Sequence, residues 1–374
     1  MIVIRPIEQK DLGDLMRMAE NAGSGLTTLP ANEELLKAKI TSSEESFSQK
    51  TDERHRFYMF ALEDTDAGQI AGVCGLEAAV GLGDVWYNYR VSTTVNASSE
   101  LGIHKQTPTL YLTNDMTGCS ELCSLFLDAD YRKGNNGRLL SKCRFLFLAQ
   151  FAHLFSQKVF AEMRGYSDEN GVSPFWESLG RKFFSLEFTR ADYLTGVGQK
   201  SFIAELMPKY PIYLPFLSEE AQQIVGKTHD NTRPALAMLK SEGFNFNGLV
   251  DIFDAGPLVE AFVENIRAVR QSRLVTVEVG TAKPFDDSDR DPLLVSNTQY
   301  EDFRVTLFNK SSLVGKLLLI SKEQAEYLKV NTGDQVRIVS LREPRLDSER
   351  TPSEAGSSKK LHGQDPTEFR TQEH

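Results

Sequence analysis

Glu121-Leu-Cys-Ser-Leu-Phe-Leu127 runs straight into Asp128-Ala-Asp-Tyr-Arg-Lys-Gly-Asn-Asn-Gly137, and an apolar stretch follows to Phe155. The first segment predicts a β-strand, and its period of two puts Glu121, Cys123, Leu125 and Leu127 on one face. The second is a loop, because Gly and Asn tolerate left-handed backbone angles at little cost. The third, over residues 137–155, is apolar almost all round and predicts a largely buried helix. A strand, a loop flanked by Arg132 and Lys133, and a helix that begins at the loop together make an anion site. Amides of the loop and the first helical turn lack partners, and the helix dipole favours negative charge there. Backbone contact with a phosphate also needs small side chains, which Gly134 and Gly137 supply.

Upstream, residues 2–5 alternate as a strand, Asp11 caps a helix to residue 21, and another helix covers 32–40. Strands follow at 57–62 and 70–76 around a turn at 63–68. Two more lie at 85–91 and 109–112, with polar loop between them. Downstream, 158–164 is a strand, Ser173 caps a short helix that Gly180 closes, and 183–188 is again a strand. Beyond about residue 200 the pattern turns helical, at 219–225, 235–242 and 258–270. Short strands around a small helix at 321–328, within 301–342, are the pattern of a small β-barrel. The tail from about 343 has almost nothing to bury, which predicts disorder. Four parts are therefore expected: an α+β domain at 1–200, a helical segment packed on it at 201–280, a small barrel-like module at 281–342 and the tail at 343–374.

With 40% hydrophobic and 25% charged residues the chain reads as globular, and 374 residues exceed one ordinary core. No apolar run approaches the roughly 18 residues of a membrane span, and the opening Met1-Ile-Val-Ile-Arg-Pro lacks the features of an export signal. The cytoplasm is the expected place, with no membrane partner. Cys74, Cys119, Cys123 and Cys143 form no C-x-x-C pair and no His stands at zinc spacing, so reduced, buried thiols and no metal are expected. A net charge of −10 argues against nucleic acid as a partner. Residues 131–160 nonetheless contain no Asp or Glu, while Arg132, Lys133, Arg138, Lys142, Arg144 and Lys158 all fall there, which suggests a small polyanionic ligand.

The order of elements is an N-terminal strand–helix, a meander of antiparallel strands, then strand–loop–helix–strand. It resembles the GNAT acyl-CoA N-acyltransferases, whose coenzyme A loop is usually Gln/Arg-x-x-Gly-x-Gly/Ala. Arg132 and Gly137 fit that pattern; Asn135 stands at its middle glycine, where Asn is the next residue to accept a positive angle. Ala161-Glu-Met-Arg-Gly, Ser173-Pro-Phe-Trp-Glu, Phe202-Ile-Ala-Glu-Leu-Met-Pro, Pro211-Ile-Tyr and Val250-Asp-Ile-Phe-Asp-Ala-Gly-Pro are similar to the bacterial arginine N-succinyltransferase family. The resemblance runs from residue 1 to about 340. It implies a GNAT mixed sheet with flanking helices and transfer of succinyl from succinyl-CoA, a co-substrate, to the α-amine of L-arginine. No permanently bound cofactor is implied. It also implies that His229, in Gly226-Lys-Thr-His-Asp-Asn-Thr-Arg-Pro, is the proton donor and Leu125 a succinyl-CoA contact. By the same resemblance Leu127 contacts the acyl-CoA, and Arg132, Lys133, Gly134, Asn135 and Gly137 form the phosphate cradle.

The chemistry supports such a set. The amine attacks as a neutral base, and a tetrahedral intermediate expels a thiolate, to which a group titrating near neutrality can give a proton. His229 sits in a polar loop, whereas His153 lies in the apolar helix and reads as a packed core residue. Glu121 is the rival for taking the amine's proton, and a ping-pong route through Cys123 is disfavoured because no cation or His adjoins it in sequence. Glu162, Asp168 and Asp251 could hold the guanidinium; Arg90 and Arg164 could meet the succinyl carboxylate. Three alternatives compete: another acyl-CoA or amine, a catalytically silent subunit of a heteromer, and a nucleic-acid regulator built on 301–342. The near balance of charge in that last segment speaks against the third. Homo- or hetero-oligomers, and arginine against ornithine, stay open.

Overall fold

The computed structural model describes residues 1–22, 28–196, 201–282, 285, 286, 289 and 291–342. The polar tail lies outside the described residues. The chain opens with β1 (Ile2–Pro6), α1 (Leu12–Ala22) and α2 (Glu33–Phe47), followed by β2 (Phe57–Asp64) and β3 (Gln69–Glu77). Next come β4 (Asn88–Ser98), β5 (Ile103–Thr113), β6 (Ser120–Leu127), α3 (Asn136–Gln150) and β7 (Lys158–Glu162). A mostly helical stretch holds α4 (Arg181–Phe184), α5 (Phe188–Gly196), α6 (Ser201–Leu206), β8 (Ile212–Tyr213), α7 (Glu219–Ile224) and α8 (Arg233–Ser241). The remainder is β9 (Asn245–Val250), β10 (Pro257–Phe262), α9 (Arg267–Gln271), β11 (Arg273–Val279), β12 (Leu293–Ser296), β13 (Val305–Phe308), β14 (Leu313–Val314), β15 (Leu317–Ile320), α10 (Lys322–Leu328) and β16 (Gln335–Ser340).

These strands hydrogen-bond in one order, β14-β15-β11-β16-β12-β13-β1-β2-β3-β6-β7-β10-β9-β4-β5-β8. The mixed sheet with flanking helices matches the expectation. The C-terminal strands join the same sheet: among the described residues β14 ends the order, and β13 pairs with β1, Val305 opposite Ile4. Thr306 adds a hydroxyl bond to the Ile2 carbonyl at 2.7 Å.

Several local expectations yield to tertiary pairing. Residues 258–262, rich in helix formers, are strand β10, because they fill the slot between β7 and β9. The polar stretch after residue 91 is one side of a long hairpin, β4 on β5 from Asn88↔Thr113 to Ser98↔Ile103. Its exposed residues on both faces hide the strand pattern. Gly180 does not close a helix but lies in a π-helical turn, Trp176–Gly180, that leads into α4. A Cβ there would stand 2.2 Å from the Trp176 ring. Residues 183–188 are consequently the end of α4 and the start of α5, with Phe184 stacked on Trp176 at 5.3 Å. Asp11 is no simple helix cap; it is buried against Arg5 at 2.7 Å, ahead of α1. His153 is exposed in the short 3-10 turn Ala152–Leu154 that follows α3, not packed in the core.

One buried charge ties the parts together. Glu242, at the end of α8, is fully buried and meets Lys142 of α3 and Arg267 of α9, each at 2.7 Å. Lys142 and Arg267 then reach past it. Lys142 donates to the Leu341 carbonyl at 2.9 Å, and Arg267 to those of Ser340 at 3.0 Å and Arg342 at 3.5 Å. The chain leaving β16 is thus fastened to the central helix. Removing one partner of a buried, hydrogen-bonded ion cluster costs about 3–5 kcal/mol. Glu242→Gln is expected to lower stability by that amount in urea unfolding; a loss under about 1 kcal/mol, the range of surface pairs, would show that the cluster holds nothing.

Candidate active site

β6 and β7 run parallel and pair at Ser120↔Val159 and Glu121↔Phe160, after which they part. β7 stays with β10 along its whole length, while β6 follows β3. Between Cys123↔Gly75 and Phe126↔Val73 the β6–β3 register slips by one residue, and Ser124 takes a φ of 51°. This bulge breaks the expected alternation. Leu122 and Leu127 pack with Leu139 and Leu140 of α3, whereas Phe126 packs with Leu15 and Met18 of α1. Leu127 therefore does not share the Glu121 face. Arg144, buried below, donates to the carbonyls of Gly75 at 3.2 Å and Cys123 at 3.4 Å and fills the bulge.

A cavity of about 970 Å³ opens where the strands part. Glu121, Cys123 and Leu125 line it from β6, and Glu162 and Arg164 from β7 and beyond; Asp251 and Asp254 from the loop after β9 and Thr232 before α8 complete that wall. The acid loop is set by backbone contact. A Cβ on Gly256 would stand 2.0 Å from the Met163 carbonyl, and one on Gly165 2.4 Å from that of Asp254. Asp254 accepts the amides of Gly165 at 2.7 Å and Gly256 at 2.8 Å, and Asp251 those of Phe253 and Asp254. Burial, then the charges of Asp251 and Glu121, hold the Glu162 carboxyl well above the usual range, although the Asn88 amide donates to it at 2.8 Å. Burial and Asp251 do the same to Asp254, and burial raises Asp251 as well. A positive charge placed against this wall would favour the ionised form of these carboxyls.

Of the acids weighed from sequence, Glu162 and Asp251 are here; Asp168 caps a surface turn at Asn170 and Val172. Asp254 was missed, although two acids three apart before Gly-Pro were its signal. Arg164 lines the cavity, its Nε buried without a partner among the described residues, while Arg90 pairs outside with Asp115. Burial, then the Glu121 charge, pushes the Cys123 thiol far up, which leaves little thiolate for a ping-pong step. All four cysteines are free thiols, with Cys119 half-buried. Among the described residues no group of His, Cys, Asp and Glu could hold a metal.

In the loop at the other end of β6 the amides of Tyr131, Arg132, Lys133 and Asn136 bond to carbonyls of the loop itself. Gly134, at φ 57°, makes the left-handed turn; Asn135, at φ −109°, does not, so the glycine missing from position 135 is not needed. No hydrogen bond within the described protein takes the amides of Gly137 and Arg138 at the start of α3. A Cβ on Gly137 would meet Leu127 alone, at 3.8 Å, so open space lies above it. Of the basic stretch, Lys142, Arg144 and Lys158 are spent on bonds elsewhere; around the loop stand Lys133, Arg138 and Arg132, whose Nε donates to the Leu127 carbonyl at 2.9 Å.

His229 stands outside the cavity lining, but its chain is stitched to it. Its amide donates to the Arg164 carbonyl at 2.8 Å, and Thr232, three residues on, lines the cavity. Nδ1 accepts the Asn231 amide at 3.1 Å, which places the ring proton on Nε2. Burial, then the Arg164 cation, lowers the imidazole below its ordinary value.

A stability profile tests the acid wall. The folded protein keeps a proton on Glu162 where the unfolded chain has lost it, so this group's contribution falls as pH rises from the unfolded carboxylate range through neutrality. Glu162→Gln removes that decline. It is expected to melt above wild type at pH 8 and not at pH 5; equal gains at both values would mean that Glu162 is ionised throughout.

Two family models match the chain: arginine N-succinyltransferase beta subunit over residues 2–268, and the C-terminal domain of that subunit over 273–340. The chain is 53% identical over 340 residues to the arginine N-succinyltransferase subunit beta of Pseudomonas aeruginosa, covering 91% of this chain and 98% of that one. It is 51% identical over 341 residues to the arginine N-succinyltransferase of Escherichia coli strain 55989, with the same coverage. Its structure is similar to that of arginine/ornithine succinyltransferase subunit AI from Pseudomonas aeruginosa, with a TM-score of 0.83, 36% identity and coverage of 92% of this chain and 99% of that one. The chain belongs to the arginine N-succinyltransferase beta-subunit family.

Proposed function

We propose that this chain transfers the succinyl group of succinyl-CoA to the α-amine of L-arginine by direct attack in a ternary complex. One observation carries the reading: β6 and β7 part just beyond Glu121, between an acid-walled cavity and a helix start with unpaired amides. The pantetheine arm lies in the gap and pairs with main-chain groups around Leu125 and Leu127, as in a GNAT acyltransferase. Its pyrophosphate meets the amides at the start of α3, with Arg132 and Lys133 beside them. Glu162, Asp251 and Asp254 hold the cationic arginine, and Arg164 faces the succinyl carboxylate.

The neutral amine attacks the thioester carbon, a C–N bond forms, and the carbonyl electrons move to oxygen. Collapse breaks the C–S bond, and one proton passes, net, from nitrogen to sulfur. The amine's proton leaves to solvent and His229 supplies the sulfur's: the ring takes a solvent proton at Nδ1, which releases the Asn231 amide, gives the Nε2 proton to the thiolate and returns to neutral imidazole. Nothing stays bound between turnovers. Free cysteines suit a reducing cytoplasm. The Pseudomonas relatives are named as subunits, so we infer that the working form holds more than one chain.

Two variants test this. His229→Ala is expected to lower kcat by about 10²–10⁴-fold with acyl-CoA affinity little changed, and His229→Gln nearly as much. Turnover above about a third of wild type would return the proton to another group. Gly137→Val, which has room to fold, is expected to weaken coenzyme A binding at least about tenfold, since its side chain fills the space a phosphate needs. Unchanged affinity by calorimetry would remove the loop from the site.

A further inference from the structure

We infer that Lys39, on α2, is a specificity-determining residue whose ammonium receives the α-carboxylate of the acceptor amino acid. The inference rests on the transfer proposed above and deepens it. Arginine brings three charged groups, and the acid wall takes only its guanidinium, while Arg164 faces the succinyl carboxylate. The α-carboxylate shares a carbon with the amine that attacks. Its partner must therefore stand beside the strand gap where the thioester lies, whereas the guanidinium ends three methylenes further off. Lys39 meets that demand. It lines the cavity, and its Nζ donates to the carbonyl of Thr28. The same carbonyl accepts the Ser124 hydroxyl at 3.3 Å, and the Thr28 hydroxyl accepts the Ser124 amide at 3.2 Å. Ser124 is the bulge residue of β6, next to Leu125, so one threonine ties this ammonium to the strand that faces the thioester.

The surroundings fit the head of an amino acid, which carries both signs. Nζ of Lys39 lies over the Phe57 ring, 5.5 Å from its centroid. Phe57 stands opposite Glu77 across β2 and β3, and Glu77 opposite Glu121 across β3 and β6. The Cys123 thiol feels the charges of Glu121, Lys39 and Glu77 together, and Glu162 feels that of Glu121. An α-ammonium arriving from water is drawn to Glu121 and Glu77, its carboxylate to Lys39, and the guanidinium to Glu162 and the acids beyond. The other Lys and Arg side chains of the lining have other work. Arg54 makes two side-chain bonds to Asp52 at the surface, Arg144 serves the Gly75 and Cys123 carbonyls beneath the bulge, and Arg164 stands on the β7 side.

Agmatine, which keeps the amine and guanidinium of arginine and lacks the carboxylate, is the probe. Coenzyme A release from succinyl-CoA is followed on the full chain with L-arginine and with agmatine. Where agmatine turns over slowly, its inhibition constant against L-arginine is read in place of a rate. Lys39→Met, which keeps the stem and removes the charge, is expected to lower kcat/KM for L-arginine about 10–100-fold, the scale of one hydrogen bond to a charged group, chiefly through KM. For agmatine the change is expected to stay under about threefold, and so is that in KM for succinyl-CoA. A merely structural role would move both amines together, so equal losses overturn the inference, as does an unchanged kcat/KM for L-arginine. Equal losses with a raised KM for succinyl-CoA would give Lys39 to the succinyl carboxylate and overturn it too. If Lys39→Met fails to fold, Lys39→Gln is read by the same ratio. A wild type inactive with L-arginine overturns the functional reading and this inference with it. An active wild type, with a variant that treats the two amines alike, overturns this inference alone.

Discussion

Glu242 is the charge on which the arrangement depends. A carboxylate removed from water is tolerable when cations and amides surround it, and here Lys142, Arg267 and the Ala268 amide do so. Burial lowers the Lys142 ammonium below its ordinary value, and the Glu242 charge works against that shift. Such a cluster need not add net stability over an apolar core. What it supplies is register: three elements distant in sequence and the exit of β16 can meet in one way only.

The site itself depends on the absence of contacts as much as on contacts. β6 and β7 stop pairing after two residues, and a bulge redirects the side chains beyond it. Glycines at 165 and 256 allow two loops to approach backbone to backbone, and the Asp254 carboxylate accepts the amide of each. The acids there are strained electrostatically, a cost that a cationic ligand removes on binding. Function and stability pull in opposite directions at this wall.

Much of this was legible in the sequence. The strand, Gly/Asn loop and helix at 121–150 could be read, because their signals are local: alternation, left-handed turns and helix periodicity. The family was legible by resemblance of its motifs. The bulge at Ser124 was not, since one inserted residue has no compositional mark and only the partner strand reveals it. Nor was β10, whose Leu-Val-Glu-Ala-Phe suits a helix until β7 and β9 flank it. Lys142 and Arg144 looked like ligand cations for the same reason: sequence shows charge, not the carbonyls and carboxylate that absorb it.

The place of β1 has a consequence for how the chain is made. It lies between β2 and β13, so one edge is completed by residues near Thr306, whose separation from Ile2 is 304 positions. At about 5–20 residues per second, a ribosome needs roughly 15–60 s to supply that partner. Throughout that interval the first strand made offers a row of free amides and carbonyls to any neighbour, including a second nascent chain on the same message. The order of translation, rather than the finished fold, is then the period in which this protein is most open to wrong pairing.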